Sequence, residues 1–194
     1  SKPKDMKNLL IIITTILSFT ATAQTATEIE MITMVNQVRT NPKSFIPVIE
    51  EYIESAKKLK ALGGGVKANG KPVDVIAEAN ALIRFLKTVK PVNALELSVA
   101  TYSITKTHAN FLDSTKQVTH TNAKGESYAK RLKALGLIGG ENCTTGNNAK
   151  QAMLLFLLDI NASVKGHRDN IFNPNFTKLS VGNTGRYWVQ DFIN

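Results

Sequence analysis

Four side chains in the second half of the sequence could do chemistry together: His120 in Thr119-His120-Thr121, Glu141 in Gly140-Glu141-Asn142, Asp159, and His167 in Gly166-His167-Arg168-Asp169-Asn170. Two imidazoles and two carboxylates are a donor set for zinc or another divalent metal, because nitrogen and carboxylate oxygen both suit such ions. The same groups can work as a general acid and base, with Glu141 the candidate base. His108, the remaining histidine, falls inside a helical pattern and is assigned a structural role. Cys143 is the only cysteine. No sequence neighbour is suited to lower its pKa, so it reads as a small buried residue before it reads as a nucleophile. Arg168 is expected to anchor a nearby carboxylate.

More familiar motifs fail. Gly65 to Lys71 spells G-x-x-x-x-G-K, but Pro72 follows where a phosphate loop needs a hydroxyl for magnesium, and a Lys-rich helical stretch precedes it where a buried strand is required. Gly125-Glu126-Ser127-Tyr128-Ala129 echoes a nucleophile elbow without its last glycine or its leading strand. Neither H-E-x-x-H nor a paired C-x-x-C occurs.

His120 and His167 are 47 residues apart, so the elements between them must bring them together. Met31, Met34, Val35 and Val38 form one apolar helical stripe that stops before Pro42. Asn41-Pro42 reads as the start of a second helix burying Phe45, Ile46, Ile49 and Ile53, with Pro47 bending it or delaying its start. The Gly- and Lys-rich stretch from Gly63 to Pro72 reads as a loop. Ile76, Ala79, Ile83 and Leu86 mark a third helix ending near Pro91, a fourth runs from Leu97 to about Asp113, and Tyr128, Leu132 and Leu135 mark a short one closed by Gly136. Ala149, Ala152, Met153, Phe156 and Ile160 give a core helix, with Asp159 near its end. The pattern then alternates at Leu179 and Val181, turns at Asn183-Thr184-Gly185 and ends in an aromatic, β-branched run to Ile193, predicting an antiparallel hairpin. Helices first and strands last predict an α+β layered domain.

The chain has 194 residues, and the first 23 read as a removable leader. Ser1 to Asp5 are an extension, Met6-Lys7 a positive start, Asn8 to Phe19 an apolar run too short to span a bilayer, and Ala21-Thr22-Ala23 a cleavage site. Residues 24–194 then form a single domain with room for one core. This predicts an exported protein, secreted or periplasmic, with no transmembrane segment and read as a monomer. The formal net charge is +9, of which Lys2, Lys4 and Lys7 against Asp5 contribute +2. Its cations are dispersed without interleaved aromatics, so nucleic acid is excluded as a partner and an anionic lipid or envelope polymer is favoured. A lone cysteine leaves no intrachain disulfide, and stability must come from the core.

These residues resemble the CAP superfamily, which groups cysteine-rich secretory proteins, antigen-five venom proteins, plant pathogenesis-related proteins and many bacterial SCP-domain proteins. The resemblance is carried by Gly140-Glu141-Asn142, by Ala152 through Gly166-His167-Arg168-Asp169-Asn170-Ile171-Phe172-Asn173-Pro174, and by Tyr187-Trp188-Val189-Gln190-Asp191-Phe192. Val35 to Pro42, His108 and His120 add to it. It implies a three-layer α-β-α sandwich with a small antiparallel sheet. It also implies a cleft of two histidines and two acids that holds zinc or another divalent ion. By motif these are His120, Glu141 and His167, with Asp159 in place of the family's second acid; its shorter side chain and the intervening Asn161 to Lys165 are departures. The disulfides of eukaryotic members are absent. Three functions follow as alternatives: a binding module for a small amphipathic, lipid or envelope-derived ligand, a metal-dependent hydrolase of peptide, ester or wall-derived substrates, or a secreted interaction protein with at most a structural metal.

Overall fold

Capping and proline placement set the helix boundaries. A computed structural model describes residues 24–68, 71–160 and 165–194; the leader reading and Asn161 to Val164 lie outside them. Helix α1 (Ala26–Thr40) opens on a capping box between Thr25 and Glu28. A 3₁₀ turn (Pro42–Phe45) leads into α2 (Ile46–Ala61), so Pro47 sits in the first turn, where its missing N–H costs nothing. The Gly63 to Pro72 stretch, expected as a loop, contains two three-residue strands, β1 (Val66–Ala68) and β2 (Lys71–Val73), paired antiparallel. Helix α3 (Val75–Thr88) is capped by Asp74. Leu97 does not begin the next helix. It belongs to β3 (Glu96–Leu97), and Ser98 caps α4 (Val99–Thr115).

The remaining elements are α5 (Tyr128–Lys133), β4 (Gly139–Thr145), α6 (Ala149–Leu158), α7 (Gly166–Ile171), β5 (Lys178–Thr184) and β6 (Tyr187–Ile193). The main sheet has the order β3-β5-β6-β4. The expected hairpin pairs β5 with β6, Leu179 opposite Phe192 and Asn183 opposite Trp188, and turns at Gly185 with φ +56°. β4 adds antiparallel to β6, while the two-residue β3 adds parallel to β5, so the sheet is mixed at one end.

Side-chain alternation makes the two sheet faces chemically different. Leu179, Val181, Trp188 and Phe192 join one continuous apolar core with Met31, Val35, Phe156 and Leu157 of α1 and α6. The opposite face meets α4 and α5. It holds two small apolar clusters, Ala109, Leu112, Cys143, Tyr187 and Val189 in one and Tyr128, Leu132 and Ile193 in the other. A buried polar seam includes Ser98, Thr101, Thr105, Ser180, Asp191 and Glu141. The result is the α-β-α sandwich implied by the resemblance, with the site growing out of the polar face.

The α1 helix is tied in by a buried arginine. Arg39 donates from Nε to the Asn93 carbonyl (2.8 Å), from Nη1 to those of Ile171 (2.6 Å) and Asn173 (3.1 Å), and from Nη2 to that of Phe176. One planar fork therefore fixes the segment that follows α7.

Candidate functional site

All four residues singled out in the sequence border one cavity of about 360 Å³, together with Gly166, Asp169 and Asn170. It opens beside β4, the last strand of its sheet. Glu141 projects from that strand, cross-strand from Asp191. Gly140 leaves room for the Asn170 side chain, which a Cβ would strike. Asn170 in turn donates to the side-chain oxygen of Asn142 (2.8 Å), and Asn142 donates to the His167 carbonyl (3.1 Å), so the Glu-Asn pair of β4 holds α7 against the strand. Larger cavities of about 420 and 410 Å³ lie along α2, and neither contains a histidine or cysteine.

Each histidine of the cleft has a carboxylate behind it. His120 Nδ1 lies 2.9 Å from Glu141 Oε1. Because a carboxylate accepts, that geometry puts the proton on Nδ1 and leaves Nε2 with its lone pair. His167 Nδ1 lies 3.1 Å from Asp159 Oδ1 without hydrogen-bond alignment, while the His167 backbone N–H donates to Asp159 Oδ2 at 3.0 Å. Phe156 packs edge-on against the His167 ring at 5.4 Å. Burial alone would raise the Asp159 carboxyl, but the His167 ring and the amides of His167 and Arg168 outweigh it and hold it below the usual range. The shorter aspartate thus reaches His167 because it sits at the C-cap of α6 in a left-handed conformation, φ +47°.

The site contains groups the sequence reading did not assign. Arg131 Nη2 donates to Glu141 Oε2, and its Nη1 holds the carbonyls of His120 and Glu126 at 3.1 Å. A charged side chain three residues after the buried Tyr128 was the available signal. Asp191 falls on the inward face of β6 between Val189 and Ile193, and its Oδ2 accepts from the Thr105 hydroxyl at 2.6 Å. Burial, then Glu141, pushes its carboxyl well above the ordinary range. Arg168 does not anchor a carboxylate by direct contact. Its Nε donates to the Leu157 carbonyl (3.0 Å) and its guanidinium lies over Phe85, closing the end of α6.

His108, Glu141 and Cys143 also bring three ligand-type atoms within 4.8 Å of one another among the described residues. They do not fit a metal. His108 Nε2 faces the Thr119 carbonyl at 2.8 Å, and a carbonyl only accepts, so that nitrogen carries a proton. Arg131 occupies Glu141, and burial followed by the charges of Glu141 and Asp191 drives the Cys143 thiol up, away from the thiolate a metal needs. Cys143 is only 3% exposed. In the folded chain it is expected to react with a disulfide reagent at least ~100-fold more slowly than in urea, because access and thiolate are both lost. Modification of the native protein within minutes would contradict this placement.

The model of the cysteine-rich secretory protein family, CAP, matches residues 32–192, a span containing the cleft, Arg131 and Asp191. The chain belongs to the CAP family. The fold and family expected for this CAP domain from its sequence are thereby borne out. Among solved structures it is similar to an extracellular protein containing an SCP domain from Bacillus anthracis str. Ames, at 22% identity and a TM-score of 0.46. That match covers 53% of this chain and 34% of the other, so about half of this chain aligns with about a third of that protein's length. No curated protein matches. Within the described residues of the CAP domain, no helix is long and apolar enough to cross a membrane.

Proposed function

We propose that this CAP domain is an exported binding module whose cleft holds a divalent transition metal and takes a small amphipathic, lipid or envelope-derived ligand. The observation that carries the reading is that His120 and His167, each backed by a carboxylate, border one cavity. A carboxylate behind an imidazole fixes the ring and strengthens it as a ligand. The two imidazoles would hold the ion, and solvent or ligand would complete its shell. Glu141, expected from the sequence as a ligand, already shares its oxygens between His120 and Arg131 and fits an orienting role, as Asp159 does for His167.

Binding fits better than hydrolysis. A hydrolytic base must be free to take a proton, whereas Glu141 has both oxygens engaged and Asp159 is held as a weak base. Export is supported by the leader pattern before Gln24. The dispersed positive charge suits an anionic envelope ligand.

Calorimetric zinc titration tests the reading. The parent is expected to bind, and His120→Ala and His167→Ala each to weaken binding by more than ~10-fold with circular dichroism unchanged, since even groups orienting a ligand are worth 10–100-fold. Acid should weaken the parent, because only neutral imidazole ligates. Equal affinity in parent and variants would eliminate the site.

A further inference from the structure

We propose that Gln24 is a modification site: once the leader is removed, its α-amine closes on its own side-chain amide to give an N-terminal pyroglutamyl ring. The inference rests on the export reading, in which cleavage follows Ala21-Thr22-Ala23 and leaves Gln24 as the first residue. The reaction needs no second reactant. The lone pair of the neutral amine attacks the side-chain Cδ, an N–Cδ bond forms, the Cδ–Nε2 bond breaks, and a proton from the amine departs with Nε2 as ammonia. Every ring atom belongs to Gln24, so closure calls on no other side chain. The product carries neither a charge nor a primary amine for an aminopeptidase to grip.

The fold accommodates the ring. Helix α1 begins at Ala26 with Thr25 as its N-cap, so Gln24 lies just outside the helix, and the capping bonds run between Thr25 and Glu28. Among the described residues, neither the backbone N–H nor the side-chain amide of the half-buried Gln24 makes a hydrogen bond. Cyclisation therefore breaks no hydrogen bond of the native domain. The surroundings also favour the neutral amine that the reaction consumes. A cation placed just ahead of α1 faces the positive end of the helix dipole. Glu28, the acid of the first turn, cannot offset it, because the carboxylate is fully buried and both its oxygens are taken. Oε2 accepts from the Thr25 N–H (2.8 Å) and the Tyr102 hydroxyl (2.9 Å), and Oε1 from Lys106 Nζ (2.9 Å) and the Asn183 N–H (2.8 Å). Those four donors fill the acceptor capacity of a carboxylate. A free α-ammonium at Gln24 would thus stand uncompensated at the helix start, and the lactam removes it.

The test is the intact mass of the full chain, leader included, after export from a bacterial host and warm incubation at neutral pH until the mass no longer changes. The expected product begins at residue 24 and is lighter than its sequence by one ammonia. Fragmentation of the N-terminal peptide should place that loss on residue 24, and stepwise N-terminal degradation should release nothing. Gln24→Ser has no amide to attack and is expected to begin at the same residue, at full mass and with a readable N-terminus. A product that begins at Gln24, keeps its full mass and is readable would overturn the proposal while leaving the export reading in place. A product that retains the leader, or begins at another residue, would overturn both. Loss of ammonia to the same extent in Gln24→Ser would put the reaction elsewhere in the chain and overturn the assignment to Gln24.

Discussion

Replacing Arg39 by methionine is expected to destabilise the domain by about 3–5 kcal/mol, seen as a large drop in the urea midpoint with little change in slope. Methionine matches much of the volume but donates nothing. The carbonyls of Asn93, Ile171, Asn173 and Phe176 would be left facing a buried thioether, and each stranded buried acceptor costs about 1–3 kcal/mol. Burial pulls the guanidinium pKa down to about 10, still far enough above neutrality to keep it charged. Arg39→Lys should recover little, because one ammonium cannot span acceptors arranged for a planar fork. A methionine variant with the parent's midpoint would mean these carbonyls are satisfied without the arginine.

Arg131→Met is the second change with a large expected effect, about 3–5 kcal/mol at neutral pH. Arg131 is the cation in direct contact with Glu141, and Asp191 lies directly across the strand pair from that carboxylate. Without it, ionised carboxylate on the buried face would lose its counter-charge, and the native state would hold its protons more tightly than the unfolded chain does. Stability then falls as pH rises through the carboxyl range. The loss should therefore shrink in mild acid. Denaturant melts at two pH values check the sign, and a loss that grows in acid would contradict the assignment.

The helices were legible because their apolar residues recur with the helical period, as in Met31, Val35 and Val38, and the closing hairpin was legible from its alternation and turn. Strand β4 was not. Its first five residues, Gly139-Gly140-Glu141-Asn142-Cys143, lack β-branched residues and alternation, only Thr144 and Thr145 favour a strand, and pairing with β6 supplies the rest. The four cleft residues were found because histidines are few and sit among small residues. Arg131 and Asp191 were missed because their meaning depends on which face they occupy, and that is set by register. The parallel addition of β3 depends on two residues, too few for a periodic signal.

The backbone at Asp159 has a consequence for how this domain could be improved. A left-handed conformation in a residue with a Cβ costs on the order of 1 kcal/mol, and glycine would relieve it. Glycine would also delete the carboxylate that receives the His167 amide and steadies its ring. Directed evolution for heat resistance alone would thus be drawn toward glycine at this position. It would enrich proteins that are tougher but lack one carboxylate of the cleft proposed to hold a metal, so a thermostability screen needs a parallel zinc-binding readout to keep aspartate at the helix end.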